Sequence, residues 1–323
     1  MVGVQLGSYT DIMFRLLYAS LFALWTDNAR PMTDDSSRIS PTAHFTGYVW
    51  YRHGLGDPAL QSRAGKLLVT AFSPIDRAVR WAGGPNLEDV LLSRHRLIDD
   101  ILERAIAAGE VGQVLEVAAG LSPRGLRFTR RHGDRLRYVE GDLPGMARRK
   151  RQALEQTSAP GQIEVVELDA LADDGPNSLA AVAERHLDPA RGLAIITEGL
   201  VNYFDRSAVE GMWRRFSRLL AGFPHGLYLS DLHLSEDIRR VPGARAFSAL
   251  LSVFARGRVH LHYRDETEAG AALLAAGFAE ARIHPAGTAP VRVVEAHGVI
   301  PRDPVPDPGG DRSGGKAHGR RPE

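Results

Sequence analysis

The 323-residue chain contains no cysteine. This excludes disulfides, thiolate nucleophiles, Cys-ligated zinc and iron–sulfur clusters. It also fits a reducing compartment, and a cytoplasmic location is expected. An excess of one charge is missing as well: 40 Lys and Arg face 39 Asp and Glu, for a net charge of +1. A dedicated nucleic-acid binder carries a strong basic surplus, so no nucleic-acid partner is expected. Long hydrophobic runs are scarce. The longest near the start, residues 13–25, is broken by Arg15 and falls short of the ~20 residues that span a bilayer. No basic cluster precedes it and no small-residue cleavage site follows it, so it does not read as a signal peptide. No membrane partner is expected. Metal-ligand spacings of the H-E-x-x-H kind are absent too, and no metal is expected.

Hydrophobic residues make up 44% of the chain, enough for a large core. At ~150 residues per domain the length alone suggests two domains. The pattern along the chain instead predicts one folded domain, residues 32–300, between two different ends. Residues 1–31 carry an apolar patch with no evident link to the neighbouring segment, and Met32 opens a stretch that reads like a soluble N-terminus. We read 1–31 as an N-terminal extension; a short amphipathic docking helix is the alternative. Residues 301–323 are Pro/Gly-rich without an apolar anchor, and are expected to be a disordered tail.

Within 32–300, strand-like and helix-like segments alternate. Residues 87–108 carry Leu87, Val90, Leu91, Leu97, Ile98, Ile101, Leu102 and Ile106 at helical spacing. Short apolar runs at 113–118, 136–140, 163–168, 193–197 and 227–230 predict five strands. Helices are expected between them, one through Phe128, one capped by Asp142, one near 177–186 and one capped by Asp205. The Asp205 helix places Val209, Met212, Trp213, Phe216, Leu219 and Leu220 on one face. A helix at 265–276 then leads to two strands near 278–284 and 291–297. The short link between them requires an antiparallel pair. The predicted fold is α/β: a seven-stranded, mostly parallel, Rossmann-like sheet covered on both faces, with an antiparallel C-terminal edge hairpin. This is the element pattern of the class I S-adenosylmethionine (SAM) methyltransferase fold.

In such sheets, ligands bind beyond the C-terminal ends of the strands, so the residues after each strand are the ones to read. The first strand ends in "VLEVAAGLSPRG". Gly120 and Gly125 do not make the G-x-G-x-x-G of a dinucleotide cradle, which argues against NAD. The second ends in "YVEGDLP", where an acid can accept two ribose hydroxyls. The third ends in "VVELDAL", with Asp169 placed to receive an amino group such as adenine N6. The fourth ends in "IITEGLVNYF", with Glu198 at the tip. Each acid alone reads more readily as a helix cap or a solvated loop residue than as a ligand contact. Together, at successive strand tips, they suit a cationic, adenosine-bearing ligand better than a polyphosphate. Arg94 falls on the apolar face of its helix, and a buried guanidinium needs a partner. That partner is either a carboxylate of this chain or the carboxylate of a bound ligand.

These segments, "RHRLIDDIL", "QVLEVAAGLSPRGLRF", "RYVEGDLPGMARRKRQAL", "VVELDAL" and "ITEGLVNYF", resemble the leucine carboxyl methyltransferase-like family. The similarity is strongest to its bacterial branch of O-methyltransferases of polyketide and secondary metabolism, and it runs from about residue 39 to 299. The resemblance implies SAM as cofactor, with Arg94 on the methionine carboxylate and Gly120 and its neighbours under the methionine. It implies Asp142 on the ribose hydroxyls with Glu140 second, Asp169 and Ala170 flanking the adenine, and Glu198 at the amino-acid end beside the substrate. Glu116 matches the motif acid of class I methyltransferases. Ala118 departs from the family's frequent glycine, and its methyl group could narrow the pocket. The segment before the first helix would fold over the site, making Thr42, His44, Tyr48 and Trp50 candidate wall residues. The long connection 236–262 would act as a lid, with Phe247, Leu250, Leu251 and Phe254 lining an acceptor pocket or packing down.

The expected reaction is methyl transfer to a small-molecule carboxylate or hydroxyl, in line with the activated carbon. A carboxylate needs no base; a phenol or alcohol benefits from one. His233, just past the fifth strand, is the candidate base, with Asp231 a possible orienter and Glu198 the second catalytic candidate. A SAM-binding protein without turnover is the alternative. The missing cysteine excludes radical SAM chemistry.

Overall fold

A computed structural model describes residues 41–81, 83–157, 163–241 and 259–299. The expectations for 1–31, for 301–323 and for Phe247, Leu250, Leu251 and Phe254 lie outside the described residues.

Three helices come first: α1 (Pro41–Arg52), α2 (Arg63–Trp81) and α3 (Leu87–Ala107). Then come β1 (Gln113–Val117), α4 (Arg124–His132), β2 (Arg137–Asp142), α5 (Pro144–Leu154), β3 (Ile163–Glu167) and α6 (Leu179–His186). The chain continues through β4 (Leu193–Thr197), α7 (Arg206–Leu220), β5 (Gly226–Leu232), α8 (Ser235–Arg240), α9 (Glu266–Ala275), β6 (Glu280–Pro285) and β7 (Arg292–His297). The seven strands form one sheet in the order β3-β2-β1-β4-β5-β7-β6. Strands β1 to β5 pair in parallel, while β7 runs antiparallel to both β5 and β6. The C-terminal hairpin expected from the short 285–290 link is present, with residues 286–291 joining its strands. Its second strand, not its first, joins the sheet.

Both faces of the sheet are buried, as a parallel sheet with crossover helices requires. Alternation sorts the side chains. On one face Leu115, Val139, Leu193, Ile195 and Tyr228 pack against Val182, Val209, Trp213, Phe216 and Leu273. On the other, Val114, Tyr138, Ala194, Ile196 and Leu229 meet Ile98, Ile101, Leu102 and Phe128. The stripe predicted at 87–108 is α3, and Arg94 is buried in it with its apolar neighbours.

Two local expectations resolve differently. Asp205 caps α7 as expected, accepting from Ala208 N at 2.9 Å. Asp142 does not cap α5: Leu143 holds the N-cap position and Pro144 the first turn, where its missing N–H costs nothing. The helix expected to come first, α3, is preceded by two others, α1 and α2. Helix α1 lies close on α2 at Gly65, where an added Cβ would overlap His44 O. That close approach holds α1 over the C-terminal ends of the strands.

Candidate functional site at the strand tips

A cavity of about 640 Å³ opens beyond the C-terminal ends of β1, β2, β3 and β4. Its floor begins where β1 ends. Ala118 (φ 55°) and Gly120 (φ 53°) both adopt the left-handed conformation, turning the chain sharply into α4. Glycine takes this conformation freely, whereas an alanine is strained in it. Asp142, at the tip of β2, aims its carboxylate at this turn: Oδ2 accepts from Gly120 N and Oδ1 from Leu143 N, both at 2.8 Å. Burial pushes the Asp142 carboxyl up, against the pull of those two hydrogen bonds. Each oxygen keeps a second acceptor site. Asp169 follows β3, with Oδ1 accepting from Leu171 N at 2.9 Å, and Glu198 follows β4.

Arg94, Ala118, Gly120, Asp142, Asp169, Ala170 and Glu198 all line this cavity. The wall contributed by α1 includes Thr42, Thr46 and Trp50. His44 and Tyr48 are not in that wall: His44 Nδ1 lies 2.7 Å from Ser62 Oγ, and Tyr48 packs among Phe45, Val49 and Val69. Glu116 and Glu140 are also not in it. Both strand positions put their carboxylates under the sheet's tip, where buried cations take them up. Glu116 accepts from Arg124 Nη1 at 2.7 Å and from Tyr138 Oη at 2.6 Å. Lys150 Nζ stands 2.9 Å from Glu140 Oε2 but donates its aligned hydrogen bond to Ser122 O at 2.6 Å. Burial raises the Glu140 carboxyl; Lys150 opposes the shift and Glu116 adds to it.

Arg94 finds partners within the chain. Its Nη1 donates to Asp231 Oδ2 at 2.5 Å and its Nε to Glu198 Oε1 at 3.2 Å. Burial alone would weaken its positive charge, but these two carboxylates more than offset that. Its Nη2 donates to nothing among the described residues and lies on the side of Gly199. Asp231, expected to orient His233, is occupied by Arg94 and by Gly199 N at 2.6 Å.

The deepest charge is one the sequence reading did not single out. Arg124 is fully buried. It donates to Asp99 Oδ1 at 2.6 Å, Glu116 Oε1 at 2.7 Å and Glu198 Oε2 at 2.5 Å. His95 Nδ1 also meets Glu198 Oε2, at 2.8 Å. Burial would raise the Glu198 carboxyl, but His95, Arg124 and Arg94 together hold it well below the usual carboxylate range. Asp99 is likewise held down: burial opposes, and His95, Arg124 and Arg127 prevail. The spacing of His95 and Asp99, four apart in a helix, was a legible signal. Nothing local marked Arg124.

His233 lies outside the large cavity. It lines a second one of about 60 Å³, whose wall also includes Arg94, Asp231, Gly199 and Tyr203. His233 Nδ1 sits 2.9 Å from Pro290 O. Burial lowers its pKa, against the charge of Asp231.

The sheet order and the strand-tip cavity define a class I methyltransferase fold. The chain matches leucine carboxyl methyltransferase over residues 49–216 and belongs to that family. It is 34% identical over 152 residues to a protein of Frankia alni (strain DSM 45986 / CECT 9034 / ACN14a). That relative is named for a proposed S-adenosyl-L-methionine-dependent methyltransferase activity. The aligned part covers 46% of this chain and 51% of the relative, so the chain spans about half the length of the curated relative it matches. Two solved structures share the fold with a TM-score of 0.53. A DUF574 family protein of Streptomyces avermitilis MA-4680 is 15% identical, with 80% of this chain and 97% of that one covered. A proposed methyltransferase of Thermobifida fusca YX is 14% identical, with coverages of 82% and 96%. Among the described residues no helix is long and apolar enough to cross a membrane.

Proposed function

We propose that this chain binds SAM in the strand-tip cavity and transfers its methyl group to an oxygen of a small-molecule acceptor, a carboxylate or a hydroxyl. The observation that carries the proposal is the convergence of Asp142, Asp169 and Glu198 on one cavity of about 640 Å³. That volume suits a nucleoside-sized ligand. Asp142 and Asp169, which no cation of the chain pairs within hydrogen-bond distance among the described residues, leave carboxylate oxygens to receive its polar groups. Asp142, with one acceptor site left on each oxygen, would take the ribose hydroxyls. Asp169 and Ala170 would flank the adenine. Gly120 would pass beneath the methionine, and Arg94 would offer its remaining Nη2 hydrogens to the carboxylate. Glu198 would face the amino-acid end. The bound cofactor supplies a sulfonium-activated methyl group. The protein supplies alignment, and exclusion of water by α1. A nucleic acid or a membrane is no part of this proposal.

Calorimetry with S-adenosylhomocysteine (SAH) and SAM tests it. The folded protein should bind both, and Asp142→Ala should weaken binding roughly 10- to 100-fold, the worth of charge-assisted hydrogen bonds. Folded wild-type protein that binds neither ligand would refute the proposal. Release of SAH in the presence of an acceptor separates an enzyme from a binding protein.

A further inference from the structure

The two cavities are neighbours. They share Thr42, Thr46, Arg94, Gly199 and Tyr203 as lining residues. The smaller one is otherwise apolar on the side of α1 and α3, through Phe45, Leu87 and Leu91, and His233 stands at the tip of β5. At about 60 Å³ it takes the reacting end of an acceptor, not its whole body.

The state of His233 is set by geometry. A carbonyl oxygen only accepts, so the 2.9 Å contact with Pro290 O means that Nδ1 carries the hydrogen. In the neutral ring Nε2 is then the basic nitrogen. It makes no hydrogen bond among the described residues, and it is not one of the polar atoms sealed from solvent without a partner. The ring is held in place by its backbone: His233 N donates to Asn202 Oδ1 at 3.3 Å, and Asn202 Nδ2 donates to His260 O at 2.6 Å. Burial favours the neutral ring. Asp231 and Asp237 favour its protonated form and Arg94 disfavours it.

We propose that the acceptor presents a neutral hydroxyl of the phenol or enol class, not a carboxylate, and that His233 Nε2 takes its proton. This rests on the methyl-transfer reading above. A carboxylate has no proton to surrender, and it would set its lone pairs against that of Nε2, while Arg94, the cation in this wall, is already paired with Asp231 and Glu198. A phenol donates to Nε2 in the ground state and loses its proton there as charge develops on oxygen. The acceptor O–H bond breaks and its proton moves to Nε2. The oxygen forms the new C–O bond while the sulfonium C–S bond breaks and its electron pair returns to sulfur. The products are a methyl ether, SAH and a protonated His233, which returns its proton to solvent.

The test uses the full chain with 15N-labelled histidine, SAH or labelled SAM, and three probes: 2-naphthol, 2-naphthoate and 4-nitrophenol. Above neutral pH 4-nitrophenol ionises without help. With SAH bound, 2-naphthol should shift the His233 ring signals and 2-naphthoate should not. With SAM, 2-naphthol should be methylated in preference to 2-naphthoate. His233→Asn should keep SAH affinity and lower transfer to 2-naphthol roughly 100-fold or more, the usual worth of a general base. Transfer to 4-nitrophenol should fall far less, which a merely structural role would not allow. Preferred methylation of 2-naphthoate, an unmoved His233 signal with all three probes, or equal losses for both phenols in His233→Asn would overturn the proposal while leaving the methyl-transfer reading intact. Wild-type protein that binds no SAH takes both readings down.

Discussion

Replacing Arg124 by methionine probes the charged hub beneath the site. The guanidinium is fully buried among Asp99, Glu116 and Glu198, with contacts of 2.5 to 2.7 Å. Removing one member of a buried charge cluster typically costs about 3–5 kcal/mol, because the surviving charges lose their compensation. Here each carboxylate keeps another partner. Glu116 retains Tyr138 Oη, Glu198 retains Arg94 and His95, and Asp99 retains Arg127. Methionine also fills much of the vacated volume. We therefore expect the lower end, about 3 kcal/mol of lost stability near neutral pH. The loss should depend on pH with a definite sign. Asp99 and Glu198 are held below the usual carboxylate range in the folded protein. Their contribution is full above the unfolded carboxylate pKa of ~4 and disappears as pH falls through the folded value. The gap between wild type and variant should accordingly narrow below about pH 4. Urea denaturation of both proteins across this range measures it. A difference under about 1 kcal/mol at neutral pH, no more than an exposed pair would give, or a gap that widens in acid, would refute the reasoning.

Two further substitutions test the walls of the cavity. Ala118→Gly relieves a left-handed alanine, worth ~1–2 kcal/mol, against ~0.4–1 kcal/mol returned through the looser unfolded chain. The melting temperature should rise by about 1–3 °C, and SAH affinity should not fall; a lower melting temperature would contradict the strain argument. Gly65→Ala would drive a Cβ into His44 O and displace α1. It should cost about 1–3 kcal/mol and weaken SAH binding, since α1 supplies Thr42, Thr46 and Trp50 to the wall. Unchanged affinity in a folded variant would show that α1 is not needed to hold the ligand.

Much of the fold was legible because its signals are local. Period-two and period-3.6 patterns, the Asp205 cap and the short 285–290 link mark strands, helices and the antiparallel pair without reference to distant residues. The strand-tip acids were legible for a related reason: a parallel sheet carries every C-terminal strand end to one edge, so their chain positions imply a shared cavity. Glu116 and Glu140 escaped that logic. Each lies within a strand, and side-chain alternation, not proximity to the tip, sends its carboxylate beneath the cavity to Arg124 or Lys150. Asp142 read as a helix cap because acid before a helix usually is one. The turn at Gly120 instead competes for the same carboxylate.

The amino-acid sequence by itself determined the class of fold, the edge of the sheet where chemistry can occur, and the acids that stand there. It did so because those depend on periodicity and on residue type at strand ends. Only the tertiary structure decided which charges meet. Arg94 and Asp231 are 137 residues apart and Arg124 and Glu198 are 74 apart, and no local pattern encodes a partner at that separation. The same holds for His233. Its protonation pattern is set by Pro290 O, 57 residues away, because a buried imidazole takes its tautomer from whichever backbone oxygen the fold brings against it.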